Sequence, residues 1–286
     1  MAGKFYNPGA QGSELSVVET YGKYGTTSCN IIHPCSGKQL MEALKKRLSL
    51  KDDSLQLFGI FLGGLDHQVL LFDDDAQIPI GQKLSLSRVP SDIKLEAKLI
   101  AKDDVALHLL FAEAKHAVDT GLIQPSDEQL MQLEDYLDPM FTVERQYLEL
   151  AQQCEGYGTY VFHNCFINNS TTKVMLKIMP NCLKVENEIG KISYHNIKSW
   201  VLDERNTAHT VSFDVIPPGG NPYLLLVQSS QVSLINKLVN MYCRCLAIEL
   251  NIIPPKMPER VMGRYVDPLV SFVNSLYKPR ISFDEV

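Results

Sequence analysis

Hydrophobic and polar positions follow three successive regimes along the chain. From Glu14 to about Ile100 they mostly alternate: ELSVVETY and TTSCNIIH predict two strands, and LQLFGIFLGG, HQVLLFDD, KLSLSRV and LEAKLI predict further ones. Between them, SGKQLMEALKKRL places Leu40, Met41, Leu44 and Leu48 at helical spacing behind a serine suited to start a helix. From Asp103 to Gly156 the period becomes helical. DDVALHLLFAEAKHAVDTG has an acidic first turn that complements the helix dipole, a long apolar stripe, and Gly121 as its stop. Gln124 to Leu137 predicts a second helix, opened by Pro125 to Asp127, and Thr142 to Glu155 a third.

Strands return after Tyr157: TYVFHNCFI, TKVMLKIM, NCLKVENEI, KISYHNIKSWVL, HTVSFDVI and PYLLLVQ, divided by polar turns at Ile167 to Thr172 and at the Pro217 to Pro222 corner. A single helix over Ser229 to Leu250 follows. The predicted organisation is an α+β chain of several lobes: residues 1–100, a helical lobe over 101–156, an antiparallel sandwich with one C-terminal helix over 157–250, and a proline-containing tail over 251–286, in which VDPLVSFVNSLY is a segment able to dock.

Composition narrows the classes open to such a chain. Its 286 residues are 45% hydrophobic and 21% charged, enough apolar material for packed cores and unlike a disordered chain. The net charge of −6 argues against a broad nucleic-acid surface. The N-terminal segment MAGKFYNPGAQGSELS lacks the apolar stretch of a secretory signal, and the longest charge-free window, Val215 to Asn236, is broken by Pro217, Pro218, Gly219, Gly220 and Pro222. Seven cysteines (29, 35, 154, 165, 182, 243 and 245) without paired CxxC spacing fit reduced thiols in the cytosol, neither a disulfide framework nor a zinc site.

No catalytic constellation emerges, and neither an enzyme nor a cofactor is expected. His163 and Cys165 share a face in an alternating strand, but no third group orients them. Asp52, Asp53 and Asp73 to Asp75 lack the glycine and distal glutamate of a calcium loop and read as solvated turns. The pairs Gly63, Gly64 and Gly219, Gly220 read as hairpin turns, not phosphate loops. Lys45, Lys46 and Arg47 end a predicted helix, where cations suit the dipole; a membrane or GTPase contact is the alternative.

Two features carry more. The strand Thr210 to Ile216 precedes the Pro-Pro-Gly-Gly corner and is expected to border the terminal helix with an unpaired outer edge, where an extended peptide gains main-chain hydrogen bonds. The helix itself, QVSLINKLVNMYCRCLAIEL, is apolar on more than one face. Ile235, Leu238, Tyr242, Leu246 and Glu249 form a stripe that plugs the sandwich; Val239, Cys243 and Ala247, with Asn236 and Asn240 beside them, either floor a peptide groove or pack inward. Trp200, the single tryptophan, stands near the end of the fourth predicted strand of this lobe, as core or as the wall of a shallow pocket.

The order of roll, helices and sandwich resembles the three-lobed FERM module: a ubiquitin-like β-grasp lobe, a small helical lobe like acyl-CoA-binding protein, and a PH/PTB-like sandwich with a C-terminal helix. The resemblance rests chiefly on YLELAQQCEGYGTYVF, Tyr147 to Phe162, and DDVALHLLFAEAKHAVDTGLI, Asp103 to Ile123. The short middle lobe, SWVLDE and SSQVSLINKLVNMYCRCLA are most similar to the FERM-like modules of endosomal sorting nexins, over about residues 12–250.

This resemblance implies a non-enzymatic cytosolic adaptor, peripheral on a membrane at most, whose third lobe takes NPxY or NxxY motifs of receptor tails as a strand added to its fifth strand. That strand is placed at Val211, Ser212, Phe213, Asp214 and Val215, with Trp200, Asn240, Cys243 and Ala247 as walls. Two departures stand out: no phox-homology domain precedes the first lobe in this sequence, and Cys243 and Ala247 are smaller than the residues expected there. No dense Arg and Lys cluster offers itself to phosphotyrosine or an inositol headgroup, so a non-phosphorylated motif is expected. The rival readings are a Ras-family GTPase effector docking through the first lobe, where Lys23 and His33 are the available bases, and a scaffold whose C-terminal SFDEV presents Val286 to a PDZ domain.

Overall fold

A computed structural model describes residues 13–32, 35–62, 70–71, 78, 83–138, 143–186, 190–203 and 209–249. The chain divides into two compact units: residues to Val89 with Glu96–Thr120 and Asp127–Ala151, and Pro90–Leu95 with Gly121–Ser126 and the chain from Gln152 onward.

In the first unit β1 (Ser13–Glu19) and β2 (Thr26–Ile32) form an antiparallel hairpin, followed by helix α1 (Gly37–Leu48) and strands β3 (Phe58–Leu62), β4 (Leu70–Leu71) and β5 (Leu84–Arg88). The mixed sheet runs β2-β1-β5-β3-β4, with β1 and β5 parallel. Ser36 and Gln39 start α1 with reciprocal side-chain to main-chain hydrogen bonds, 3.3 and 2.8 Å. Leu40, Leu44 and Leu48 then point one stripe into the core. The KKR run at its end is partly neutralised within the fold, because Lys45 pairs with Glu42 and Asp52.

The same unit holds helices α3 (Asp104–Asp119), α4 (Asp127–Asp135) and α5 (Glu144–Ala151); α2 (Ile93–Ile100) replaces the strand expected at LEAKLI. The buried face of α2 is Glu96, Leu99 and Ile100, a helical spacing that the alternation of Ile93, Leu95, Ala97 and Leu99 with charged residues conceals. Glu96 is fully buried because Arg88 Nε, at the end of β5, donates to it at 2.7 Å, and the Arg88 main-chain N–H donates to Glu113 of α3 at 2.9 Å. Asp103 caps α3 through one oxygen, accepting from Val105 and Ala106, while its other oxygen accepts the Lys51 N–H at 2.8 Å. His108 Nε2 accepts the Lys23 N–H at 3.0 Å, so the proton sits on Nδ1, 2.6 Å from Glu144. Glycine is needed at position 22 beside it: φ is +72°, and a Cβ would stand 2.6 Å from the His108 ring and 2.7 Å from Ala112.

The second unit carries β6 (Tyr160–Ile167), β7 (Lys173–Ile178), β8 (Cys182–Val185), β9 (Gly190–Ser193), β10 (Ile197–Asp203), β11 (Thr210–Val215), β12 (Tyr223–Gln228) and helix α6 (Val232–Glu249). The strands pair in the order β10-β11-β12-β6-β7-β8-β9. The single strand expected at KISYHNIKSWVL is two, β9 and β10, separated by a 3-10 turn at Tyr194–Asn196 whose Tyr194 hydroxyl is buried and donates to the Met179 carbonyl at 2.8 Å. A bulge between Phe162 and Cys165 turns His163 to solvent and Cys165 to the core, so the two do not share a face.

Gly156 fixes the entry to β6. Its φ is +96°, and a Cβ would lie 2.1 Å from the Leu122 carbonyl oxygen, where Gln124 N–H pairs with the Glu155 carbonyl at 2.7 Å. Gly156→Ala is expected to cost about 3 kcal/mol or more, because strain and a clash with immovable main chain add. A drop in the thermal midpoint of the second unit by circular dichroism checks it; an unchanged midpoint would overturn the reading.

Cys35, Cys154, Cys165, Cys182 and Cys243 are buried outside any disulfide, and burial raises the thiols of Cys35, Cys154, Cys165 and Cys182 above their ordinary range. Among the described residues no helix is long and apolar enough to cross a membrane, and no cluster of His, Cys, Asp and Glu is placed to hold a metal ion. Gly63, Gly64, His33, Asp73 to Asp75 and the tail with Val286 lie outside the described residues.

Candidate peptide-binding site

Every residue of β11 is flanked on both sides, which corrects the expected acceptor strand. Val211, Ser212, Phe213 and Asp214 pair with Leu202, Val201, Trp200 and Ser199 of β10 on one side, and Val215 pairs with Ile197. On the other side the same five residues pair with Val227, Leu226, Leu225, Leu224 and Tyr223 of β12. A strand in that position has no main-chain groups left for a peptide. Val211, Phe213 and Val215 face the core, while Ser212 and Asp214 are half-buried on the opposite face.

Of the two strands that end this sheet, β10 and β9, the one beside β11 is β10, the fifth strand of this unit once the fourth expected segment is divided. Among the described residues no strand pairs with its other side. The Val201 carbonyl accepts the Ser212 hydroxyl at 3.3 Å, so Val201 faces β11; by the alternation of a strand, the main-chain groups of Trp200 and Leu202 face outward. Val201 and Leu202 are half-buried, and Lys198 is exposed at the start of the edge.

Trp200 is core, not a pocket wall: it is 1% exposed and in ring contact with Phe213, centroids 6.5 Å apart. Its indole N–H donates to Asn236 Oδ1 of α6 at 2.8 Å. Asn240, one turn further on, donates through Nδ2 to the Asn236 carbonyl at 2.9 Å and to Asn236 Oδ1 at 3.3 Å. The Asn240 Oδ1 is buried without a hydrogen-bond partner. Trp200, Asn236 and Asn240 thus form a polar clamp tying the edge strand to the helix.

Both apolar stripes of α6 point inward. Ile235, Leu238 and Tyr242 of the first are buried, and so are Val239 and Cys243 of the second, with the Tyr242 hydroxyl donating to the Gly158 carbonyl. Cys243 therefore cannot floor an open groove, and the Ala247 side chain lies outside the described residues. Asn236 is the clamp residue that sequence reasoning left beside the groove without a role; only its register with Trp200 identifies it.

An open-edged antiparallel unit closed by a helix, joined in one chain to a mixed sheet with a helical segment, defines a FERM-like α+β fold. No family model matches the chain, and no curated protein matches it. Among solved structures, the FERM and C-terminal domain complex of Drosophila Merlin is similar with a TM-score of 0.60 at 13% identity, over 84% of this chain and 98% of that one. The MyTH4-FERM MF2 domain of Dictyostelium discoideum myosin VII follows at 0.56 and 11% identity for a mutant, over 81% of this chain and 60% of that one. A further structure of the same domain gives 0.52 and 12% identity, over 81% and 58%.

Proposed function

We propose that this chain is a non-enzymatic, protein-binding adaptor of the cytosol, peripheral on a membrane at most, whose second unit takes an extended peptide as a strand along β10. The observation that carries the reading is that, among the described residues, no strand pairs with the outer side of β10, which the clamp from Trp200 to Asn236 holds against the helix. A preformed edge needs no ordering before it offers main-chain donors and acceptors. The similarity to the Merlin and myosin VII FERM structures supports a protein-binding adaptor, and the resemblance of the sequence to sorting-nexin FERM modules suggests NPxY or NxxY tails of endosomally sorted membrane proteins as its ligands.

Leu202→Pro tests it. The substitution removes an outward N–H and leaves the β10 to β11 ladder whole, and proline is tolerated on the open side of an edge strand. NPxY peptides are expected to bind the wild type in a fluorescence-anisotropy titration and to lose at least about tenfold in affinity for the variant, with circular dichroism unchanged. Equal affinity, or no binding by the wild type, would sink the proposal. A Ras-family GTPase docking on the first unit is the second reading, supported by β2 standing at the edge of its sheet. It is told apart by nucleotide dependence, which a tail reader lacks.

A further inference from the structure

The outer face of β7, β8 and β9 holds a row of cations that no stretch of sequence displays. Lys177, Lys184 and Lys191 are seven residues apart, and the two hairpins between them bring Lys177 opposite Lys184 and Lys184 opposite Lys191. Neighbouring strands lie about 5 Å apart, so the row extends across about 10 Å. The alternation of β7 sends Val174, Leu176 and Ile178 into the core and leaves Lys173, Met175 and Lys177 on the outer face. Val161 of β6 continues the row beyond Lys177.

Like charges set directly opposite each other oppose folding. Among the described residues the fold answers at the two ends: Lys177 pairs with Glu186 and Lys191 with Glu155, each at 2.6 Å. Lys177 holds the Glu186 carboxyl below the usual carboxylate range and Lys191 does the same for Glu155, with Lys184 adding to both. His163, exposed on β6, also lies close enough to favour the Glu186 carboxylate. Among the described residues no carboxylate pairs with the central Lys184, which stays half-buried between its neighbours. Among the described residues of this face, Lys173, Lys177, Lys184 and Lys191 stand against Glu155 and Glu186, in a chain whose net charge is −6.

We infer that this face is a second binding surface, separate from the β10 edge, and that its partner is a short acidic protein segment whose carboxylates lie across the three strands. Lys184 is its centre, and Glu155 and Glu186 are internal counter-ions that the ligand's carboxylates compete with. Half-buried Met175 and Val161 give an apolar side chain of that segment a place to rest. With screening over about 8 Å at physiological salt, a short segment can lie on the row alone, whereas an anionic bilayer also comes close to the surface around the row, on a chain whose net charge is −6. The chemistry therefore favours the peptide over the membrane.

The test is the anisotropy of a fluorescein-labelled peptide, Ser-Asp-Glu-Leu-Glu-Asp-Glu-Ser, titrated with the full chain at about 50 mM NaCl, where surface charge pairs are weakly screened. Lys184→Gln breaks no ion pair and is expected to weaken binding about three- to fivefold, and Glu186→Gln, which releases Lys177, to tighten it. Lys46→Gln, an exposed lysine on α1, is expected to change nothing. Absence of binding, indifference to Lys184→Gln, or weakening by Glu186→Gln would overturn the inference. So would co-sedimentation with 70:30 phosphatidylcholine and phosphatidylserine vesicles that depends on Lys184 while the peptide does not bind. Leu202→Pro should leave this binding intact, which separates the two surfaces.

Discussion

Arg88→Met is expected to destabilise the first unit by about 3–5 kcal/mol near pH 8 and by clearly less near pH 5. The arginine pairs with Glu96, which is fully buried, and its main-chain N–H also serves Glu113. Removing the guanidinium takes a charged partner from buried Glu96 and removes from Glu113 a charge that favours its carboxylate, which tips Glu113 further towards the protonated form. Glu113 already leans that way. Burial pushes its carboxyl up to about 7 against an ordinary 4.5, opposed by the Arg88 N–H and charge and reinforced by the nearby Glu96.

The sign follows from which state holds the proton. Below the ordinary value both folded and unfolded chains are protonated, and Glu113 makes no pH-dependent difference. As pH rises from 4.5 towards 7 the unfolded chain releases the proton while the folded unit keeps it, so stability falls, by roughly 3 kcal/mol once the rise is complete. Glu113→Gln keeps an acceptor for the Arg88 N–H and is expected to flatten that slope and to stabilise the unit above neutrality. Amide exchange in β5, α2 and α3 across this pH range reads both variants. A slope that survives Glu113→Gln would show that another group carries it.

Trp200→Ala has the other large expected effect, about 3–5 kcal/mol on the second unit, from loss of a fully buried ring and the cavity left beneath α6. Trp200→Phe retains most of the packing against Phe213 but deletes the bond to Asn236, and is expected to cost about 1–2 kcal/mol. The pair separates packing from clamping. If the clamp sets the peptide edge, Trp200→Phe also weakens peptide binding beyond what its stability loss explains. Equal midpoints for Trp200→Phe and wild type, by chemical denaturation followed in the far ultraviolet, would remove the clamp from the account.

Much of the architecture was legible because it is local. The stripe Leu40, Leu44, Leu48 and the serine before it define α1, and the alternation of Val174, Leu176 and Ile178 defines β7. Two failures were non-local. The LEAKLI segment reads as a strand although it is the helix α2, because its buried face is organised by Glu96, a charge whose partner Arg88 lies in another element. The open edge reads as β11 in the sequence because alternation reveals which face of β11 is buried and says nothing of its neighbours, while the short turn at Tyr194–Asn196 hides one strand boundary and shifts the count by one. The clamp and the lysine row share that origin: Trp200 and Asn236 are 36 residues apart, and no composition window joins Lys177, Lys184 and Lys191.

The buried thiols give the protein a clock of its own. A sulfur that is enclosed and held protonated reacts with an alkylating reagent only after the surrounding structure opens. Cys35 lies in the first unit and Cys154, Cys165 and Cys182 in the second, so timed labelling followed by peptide mass analysis dates the opening of each unit in a single sample.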